Sequence, residues 1–538
     1  MATRAATLPW RRWLPFPRLR DCCRVRYDAM PPFAACRGMA TTTMAIGHVV
    51  RSDASTVATA PVTVTGTRPN NLLFFGGDYV SVVCLDALRL HRKAGCTVPS
   101  HIHVICPPAP HRDRSNPVLE YCQSHGVPVT VVPESTRLSP DFVLPAPPVL
   151  VEAAEAVGTK SRWDIAVVVS FRYYLPSKLL DRLPPVINMH PSLLPKFRGA
   201  SPVFETVRRG ERCGGVSVVK IAPCELMDCG DVLLQQTLRF VRATPRSEVP
   251  AKTHNATSVA APRQLSMLHH PITRIGEAVT VSHLDGRVRS YRLADDAALL
   301  TEALADDDIR ALDMRAYLPL LLQLGAVSLL KVLDDFERLW PRAAPQADRC
   351  RLREDPWHAP LLVAKDCGNI RWSAMTAAEA FDRWRAFVFT HHVHCYFNRS
   401  ATPVAHRIVD PEKKRPCRVV LNECVAWIDV SDAARAELRA ATASSDAPLV
   451  PGTAMFLSSD RNLCAVSCGG GVAHRDLPAG GLPIPNVLLI SHVTLHNSKP
   501  VAIRTLATSM AFKPGSWHSR LFLSDDSDGG AAVRPTPS

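Results

Sequence analysis

The chain has 538 residues, 46 % of them apolar and 21 % charged, a composition that excludes a disordered or fibrous protein and leaves room for about two to four domains. No apolar run reaches the roughly 18 residues of a membrane-spanning helix, so no membrane role is expected. The formal net charge of +14 suits an anionic partner such as RNA.

Residues 1–70 hold ten Arg and three Asp but no Lys and no Glu, and so carry half of the net charge. Arg-rich, acid-poor and rich in Ser and Thr, this leader has the composition of a mitochondrial transit peptide followed by a disordered arm. The 17 cysteines form no Cys-x-x-Cys pair, which points to reduced thiols rather than a disulfide framework. "HHVHC" (His391 to Cys395) has neither helical nor zinc-finger spacing, and no metal is expected.

"NLLFFGGDYVSVVCLDALRLHRKAG" (Asn71 to Gly95) predicts a strand buried on both faces, a glycine turn, and a helix that Asp78 can cap. "HIHVICPP", a helix around "NPVLEYCQSHG" and "VPVTVVP" continue the alternation, which predicts an α/β fold with a doubly wound parallel sheet. The single Gly-Gly lacks the third glycine and the ribose carboxylate of a dinucleotide fingerprint, so a nicotinamide cofactor is excluded. About 133–162 is rich in Pro and Ala and is expected to be an insertion. "DIAVVVSF", "PPVINMH" and "GGVSVVKI" predict further strands, and "MDCGDVLLQQ" follows them. A polar stretch, about 239–308, is expected to be a second insertion. Apolar residues then return at helical spacing from Ile309 to Phe336, with Pro319 expected to kink or split the helix. These elements make one domain, 71–340. A composition break at 341–360 predicts a linker. Residues 361–523 mix one helix with short strands and Gly/Pro turns, the pattern of a small β-barrel, and 524–538 is expected to be a disordered tail.

The chemistry centres on "INMHPSLLPKFRGASP" (Ile187 to Pro202). Asn188 and His190 stand at i and i+2 at a strand end, so their side chains share a face, and strand carboxyl ends face the ligand crevice of an open parallel sheet. Asn offers a neutral donor to a carbonyl oxygen gaining charge, and His exchanges a proton near neutral pH. Such a pair needs a carboxylate to orient and charge the ring; Asp228, just past a buried strand and followed by Gly230, is the candidate. Taken singly, each of these residues reads as a solvated strand end or a turn; their combination carries the functional reading.

"NMHPSLLPKFRGASP" is similar to the signature of the methionyl-tRNA formyltransferases and their 10-formyltetrahydrofolate-using relatives, and "MDCGDVLLQ" resembles that family's Leu-Asp-x-Gly-Asp segment. "NLLFFGGDYVSVVCLDAL" resembles its first strand and helix, "NIRWSAMTAAEAFDRWRAF" the start of its C-terminal domain, and "PGTAMF" the opening of that domain's barrel. Roughly two-thirds of residues 71–523 take part. The resemblance implies a formyltransferase domain followed by an OB-like β-barrel that binds tRNA, with 10-formyltetrahydrofolate as co-substrate and methionyl-tRNA as partner. It also implies a mitochondrial matrix enzyme of translation initiation, expected to be a monomer. Carried over by position, Asn188 would hold the formyl oxygen, His190 would handle the proton and Asp228 would orient His190. Ser192, Leu193, Leu194 and Pro195 would line the folate pocket, and Arg198 and Gly199 would shape the loop. Arg112, Arg114, Lys413, Lys414, Arg415 and Arg418 are the basic residues expected to meet tRNA phosphates.

The chain departs from the family at the shorter loop Pro107 to Pro117, at Arg172 where the family has Gly, and in the longer turn between Ile221 and Asp228. Two other functions fit the same residues: formyl transfer to a sugar amine or hydrolysis of the formyl folate, and non-catalytic RNA binding on the same scaffold.

Overall fold

The computed structural model of the protein describes residues 69–93, 99–109, 116–135, 137–147, 162–221, 227–243, 273–294, 306–346, 355–360, 362, 367–390, 392–408, 410–443, 449–470, 486–495 and 498–524. The leader and the tail lie outside them.

Seven strands form the first sheet: β1 (Asn71–Gly76), β2 (His101–Cys106), β3 (Val129–Val131), β4 (Ile165–Val169), β5 (Val186–His190), β6 (Gly215–Ile221) and β7 (Val232–Thr237), in the order β3-β2-β1-β4-β5-β6-β7. Strands β1 to β5 pair in parallel, as the alternation of strands and helices and the apolar runs of β1 and β4 predict. Leu72 and Phe74 point into one core, with helix α1 (Tyr79–Lys93), while Leu73 and Phe75 point into another, with Leu138, Tyr173 and Leu179. That alternation is the strand's two-residue period with both faces covered. The wholly parallel sheet expected from sequence is corrected at one edge: β5–β6 and β6–β7 are antiparallel. Parallel neighbours need a crossover of about a dozen or more residues, and only ten separate Ile221 from Val232. The strand order turns between β1 and β4, the place where open α/β sheets bind ligands.

Helix α2 (Pro117–His125) starts from Asn116, whose side chain accepts from the Val118 N–H at 2.8 Å. Helix α3 (Pro202–Arg208) follows the His190 loop. Residues 239–308 contribute a second small sheet of β8 (Phe240–Ala243), β9 (Val279–Ser282) and β10 (Val288–Leu293), in the order β8-β10-β9. Helix α4 (Met314–Asp334) continues unbroken through Pro319. One lost backbone bond is outweighed by the fifteen residues the helix buries, against α1 and β6 among others. Its length would let it cross a membrane, but it is the core helix of this domain.

The C-terminal part opens with helix α5 (Ala377–Phe387), whose Thr376 and Glu379 form a reciprocal capping box. Strands β11 (His394–Phe397), β12 (Cys417–Cys424), β13 (Ala454–Phe456), β14 (Cys464–Ser467), β15 (Val487–Leu495), β16 (Val501–Ala502), β17 (Trp517–His518) and β18 (Phe522–Leu523) form an antiparallel sheet in the order β17-β13-β14-β15-β12-β11-β18, with β16 on β15. The Phe522 N–H donates to the Gly452 carbonyl at 3.0 Å, which brings β18 beside the chain leading into β13.

Among the described residues, several contacts join this part to the elements before it. Helix α5 lies on α3, with Phe387 stacked on Phe204 at 5.6 Å, and the buried Arg385 donates to the carbonyls of Ile309 and Leu312 at 3.1 and 2.6 Å. Glu423 on β12, fully buried, accepts from His283 Nδ1 at 2.8 Å and from Arg315 at 2.9 and 3.0 Å. Arg287 and Arg289 on the small sheet side both reach Asp429. The stretch expected to be an insertion therefore ties helix α4 to the C-terminal sheet.

Candidate active site

Strand β5 ends at His190, which is 4 % exposed. Its Nε2 lies 2.9 Å from the Phe197 carbonyl. A carbonyl only accepts, so Nε2 carries the hydrogen and the neutral ring keeps its lone pair at Nδ1. Nδ1 faces Asp228 Oδ2 at 3.9 Å, beyond hydrogen-bond length but within ion-pair reach. The same Oδ2 accepts the Gly199 N–H at 3.0 Å. Asp228 sits in the turn between β6 and β7 with φ +54°, a left-handed conformation. Asn188 is partly exposed on β5, and its amide has no partner among the described residues. The structure thus brings His190 and Asp228 together across 38 residues of sequence and leaves a free amide donor on the same strand.

The loop after His190 is held from beneath. The Ser217 hydroxyl donates to the Ser192 carbonyl at 2.8 Å and accepts the Leu194 N–H at 3.1 Å. Gln235 Nε2 donates to the Leu194 carbonyl at 2.9 Å. Ser192 is buried, with its hydroxyl on the Lys196 carbonyl at 2.7 Å, and Leu194 is buried beside it. Leu193 and Pro195 are partly exposed, with the Leu193 side chain against Gly215 of β6. Arg198 is buried, its Nε–H on Asp355 Oδ2 at 2.8 Å and another N–H against Cys229 Sγ. Gly199 has φ +113°, and a Cβ there would stand 2.6 Å from the Ala359 carbonyl.

Ala344 and residues 355–360, from the stretch 341–360 expected to be a linker, pack along the back of this loop. Ala344 exchanges backbone bonds with Val232 at 2.7 and 2.9 Å. The Ala359 N–H reaches the Arg198 carbonyl at 2.7 Å, and its carbonyl takes the Ala200 N–H at 2.8 Å. Trp357 packs edge-on against Phe197 at 5.7 Å, with Lys196 Nζ at 4.4 Å and the Arg209 guanidinium at 5.5 Å from its ring. None of these partners had a local sequence signal.

Gly230 tests how tightly the Asp228 turn is built. A Cβ there would lie 1.7 Å from the Lys220 carbonyl, so the two strands would have to part. Gly230→Ala is expected to cost about 1–3 kcal/mol of stability or more by parting the strands that carry the Asp228 turn, as read by urea unfolding.

At the turning point of the sheet, Arg172 lies over the end of β1 and reaches the Pro108 carbonyl at 3.4 Å. Burial raises the Asp78 carboxyl above the usual range against its bond from Ser170 and the nearby Arg172 charge; the carboxylate caps α1 through the Val80 N–H at 3.0 Å. Arg112 and Arg114 lie outside the described residues, as does the Lys413 side chain. Lys414 is exposed, Arg415 pairs with Glu412 at 3.2 Å, and Arg418 on β12 sits against His394. Burial pushes the His394 ring below the ordinary imidazole value, and Arg418 adds to this against the bond to the His392 carbonyl. Among the described residues no contact joins these basic groups to His190 or Asp228.

Residues 103–265, which include Asn188, His190 and Asp228, match the formyl transferase family. The chain is 45 % identical over 91 residues to the methionyl-tRNA formyltransferase of Coprothermobacter proteolyticus, covering 16 % of this chain and 29 % of that one. It is 38 % identical over 140 residues to that of Phenylobacterium zucineum, covering 25 % and 40 %. With the mitochondrial methionyl-tRNA formyltransferase of Saccharomyces cerevisiae it shares 24 % identity over 220 residues, 39 % of this chain and 54 % of that one. The chain spans about half or less of the length of these relatives.

Proposed function

We propose, on the premise that this chain carries a formyl transferase domain, that it transfers the formyl group of 10-formyltetrahydrofolate to the α-amine of methionyl-tRNA. The observation that carries the reading is the His190–Asp228 pair at 3.9 Å with the unpartnered Asn188 amide two residues before His190. In this reading the methionine amine attacks the formyl carbon and the carbonyl oxygen gains charge, which the Asn188 amide receives. Nδ1 of His190 takes the amine proton and the imidazolium so formed is stabilised by Asp228; that proton then passes to N10 as the carbon–nitrogen bond breaks. Nε2 stays on the Phe197 carbonyl throughout and fixes the plane of the ring. The partial exposure of Leu193 and Pro195 supports a folate contact there.

The near approach of β18 to the lead-in of β13 supports an OB-like barrel for the C-terminal sheet. Its exposed Lys414 and Arg418, together with Lys196, Arg209 and Trp357 beside the catalytic loop, support tRNA as the acceptor. The Arg-rich, Lys-free leader and the mitochondrial relative support a place in mitochondrial translation initiation. The test is a formylation assay with 10-formyltetrahydrofolate and initiator or elongator methionyl-tRNA side by side. Formyl-methionyl-tRNA is expected. Formyl transfer or folate turnover only without tRNA would favour another amine or hydrolysis, and RNA binding without turnover would favour a non-catalytic role.

A further inference from the structure

The turn that carries Asp228 is held by a residue far along the chain. Gln346, 6 % exposed, donates through Nε2 to the Asp228 carbonyl and to the Gly230 carbonyl, both at 2.8 Å. One amide nitrogen therefore bridges the two carbonyls on either side of Cys229. The reverse orientation would set an oxygen against two carbonyl oxygens, so the donor assignment follows from the network. Gln346 reaches this place because Ala344, two residues earlier, is paired with Val232 just past the turn. Its Oε1 is buried without a partner among the described residues. An apolar side chain of similar size would fill the volume without burying an unmatched acceptor, so the amide is held here for its two donated bonds.

We infer that Gln346 is a positioning residue for formyl transfer: it locks the left-handed turn that aims the Asp228 carboxylate at His190 and at the Gly199 N–H. The inference rests on the reading of His190 and Asp228 given under Proposed function. Asp228 is held at φ +54°, where a non-glycine residue needs its surroundings to fix it. Without the two bonds the turn relaxes and the carboxylate drifts from the 3.9 Å approach to Nδ1.

The experiment compares wild type with Gln346→Met, which keeps the chain length and removes the donors, and with Gln346→Glu, which puts acceptors in their place. Both variants are expected to lower kcat about a hundredfold, the cost of displacing a catalytic group by about 1 Å, with KM for 10-formyltetrahydrofolate and methionyl-tRNA nearly unchanged and unfolding still cooperative at a modestly lowered melting temperature, so that kcat is read on fully folded protein. A second readout needs no substrate. Cys229 is 3 % exposed, and N-ethylmaleimide labelling of its peptide, followed by mass spectrometry, is expected to be slow in wild type and clearly faster in both variants. Wild-type kcat in both variants, a kcat loss that only tracks lost folded protein, or a kcat loss with Cys229 labelled at the wild-type rate would each overturn the inference. A wild-type enzyme inactive on methionyl-tRNA would instead overturn the proposed function, and the labelling result would still report whether Gln346 holds the turn.

Discussion

Replacing His190 by glutamine is expected to lower kcat for methionyl-tRNA formylation by about 10²–10⁴, the span of a positioned acid–base group. Glutamine is the informative choice because its amide can still donate to the Phe197 carbonyl, which Nε2 now does at 2.9 Å. The loop would stay in place and only the basic atom facing Asp228 would be missing. Single-turnover formylation, with folate binding measured separately, checks this. Turnover within tenfold of wild type would remove His190 from the proton path and with it the proposed mechanism.

Glu423→Ala is expected to produce the largest loss of stability, about 3–5 kcal/mol, because it strands two groups that the buried carboxylate now satisfies. Those groups are His283 at 2.8 Å and Arg315 at 2.9 Å, and Arg315 retains one carboxylate among the described residues, Asp313 at 2.7 Å. Urea unfolding followed by tryptophan fluorescence measures the loss. The effect should depend on pH in a defined direction. Burial pushes the Glu423 carboxyl up, but the bonds from His283 and Arg315 outweigh it and hold the folded value below the ordinary 4.5. A carboxyl depressed in the folded state contributes stability that is full above its unfolded value and is lost as pH falls through the folded one. The gap between wild type and Glu423→Ala should therefore be constant near neutrality and narrow once the pH drops below 4.5. A gap that widens in acid would show that the pair is not ionised as drawn.

The parallel core was legible because Leu72 to Phe75 of β1 and all of β4 are short, uninterrupted apolar runs, the pattern of strands buried on both faces. The antiparallel edge was not legible: β7 runs from three apolar to three polar residues without alternation, and a strand's direction leaves no trace in composition. Asn188 and His190 could be found from spacing alone, since an i, i+2 pair is a local fact. The Phe197 carbonyl, Gln346 and Asp355 could not. A backbone acceptor has no identity in sequence, and the Gln346 and Asp355 contacts close loops of 118 and 157 residues with no periodicity between their ends. The small sheet of β8 to β10 was missed for a related reason: its strands are short, and polar positions such as Arg289 and Arg292 turn out to be where it meets other parts of the chain or water.

The packing of Ala344, Gln346 and residues 355–360 along the loop after His190 bears on how the molecule is made. A nascent chain can assemble the first sheet once β7 has left the ribosome, but the wall behind Arg198 and Gly199 is still more than a hundred residues from being synthesised. Catalytic competence is thus withheld until the interdomain stretch has emerged, so a prematurely terminated product would own every reacting group and lack the brace that registers them.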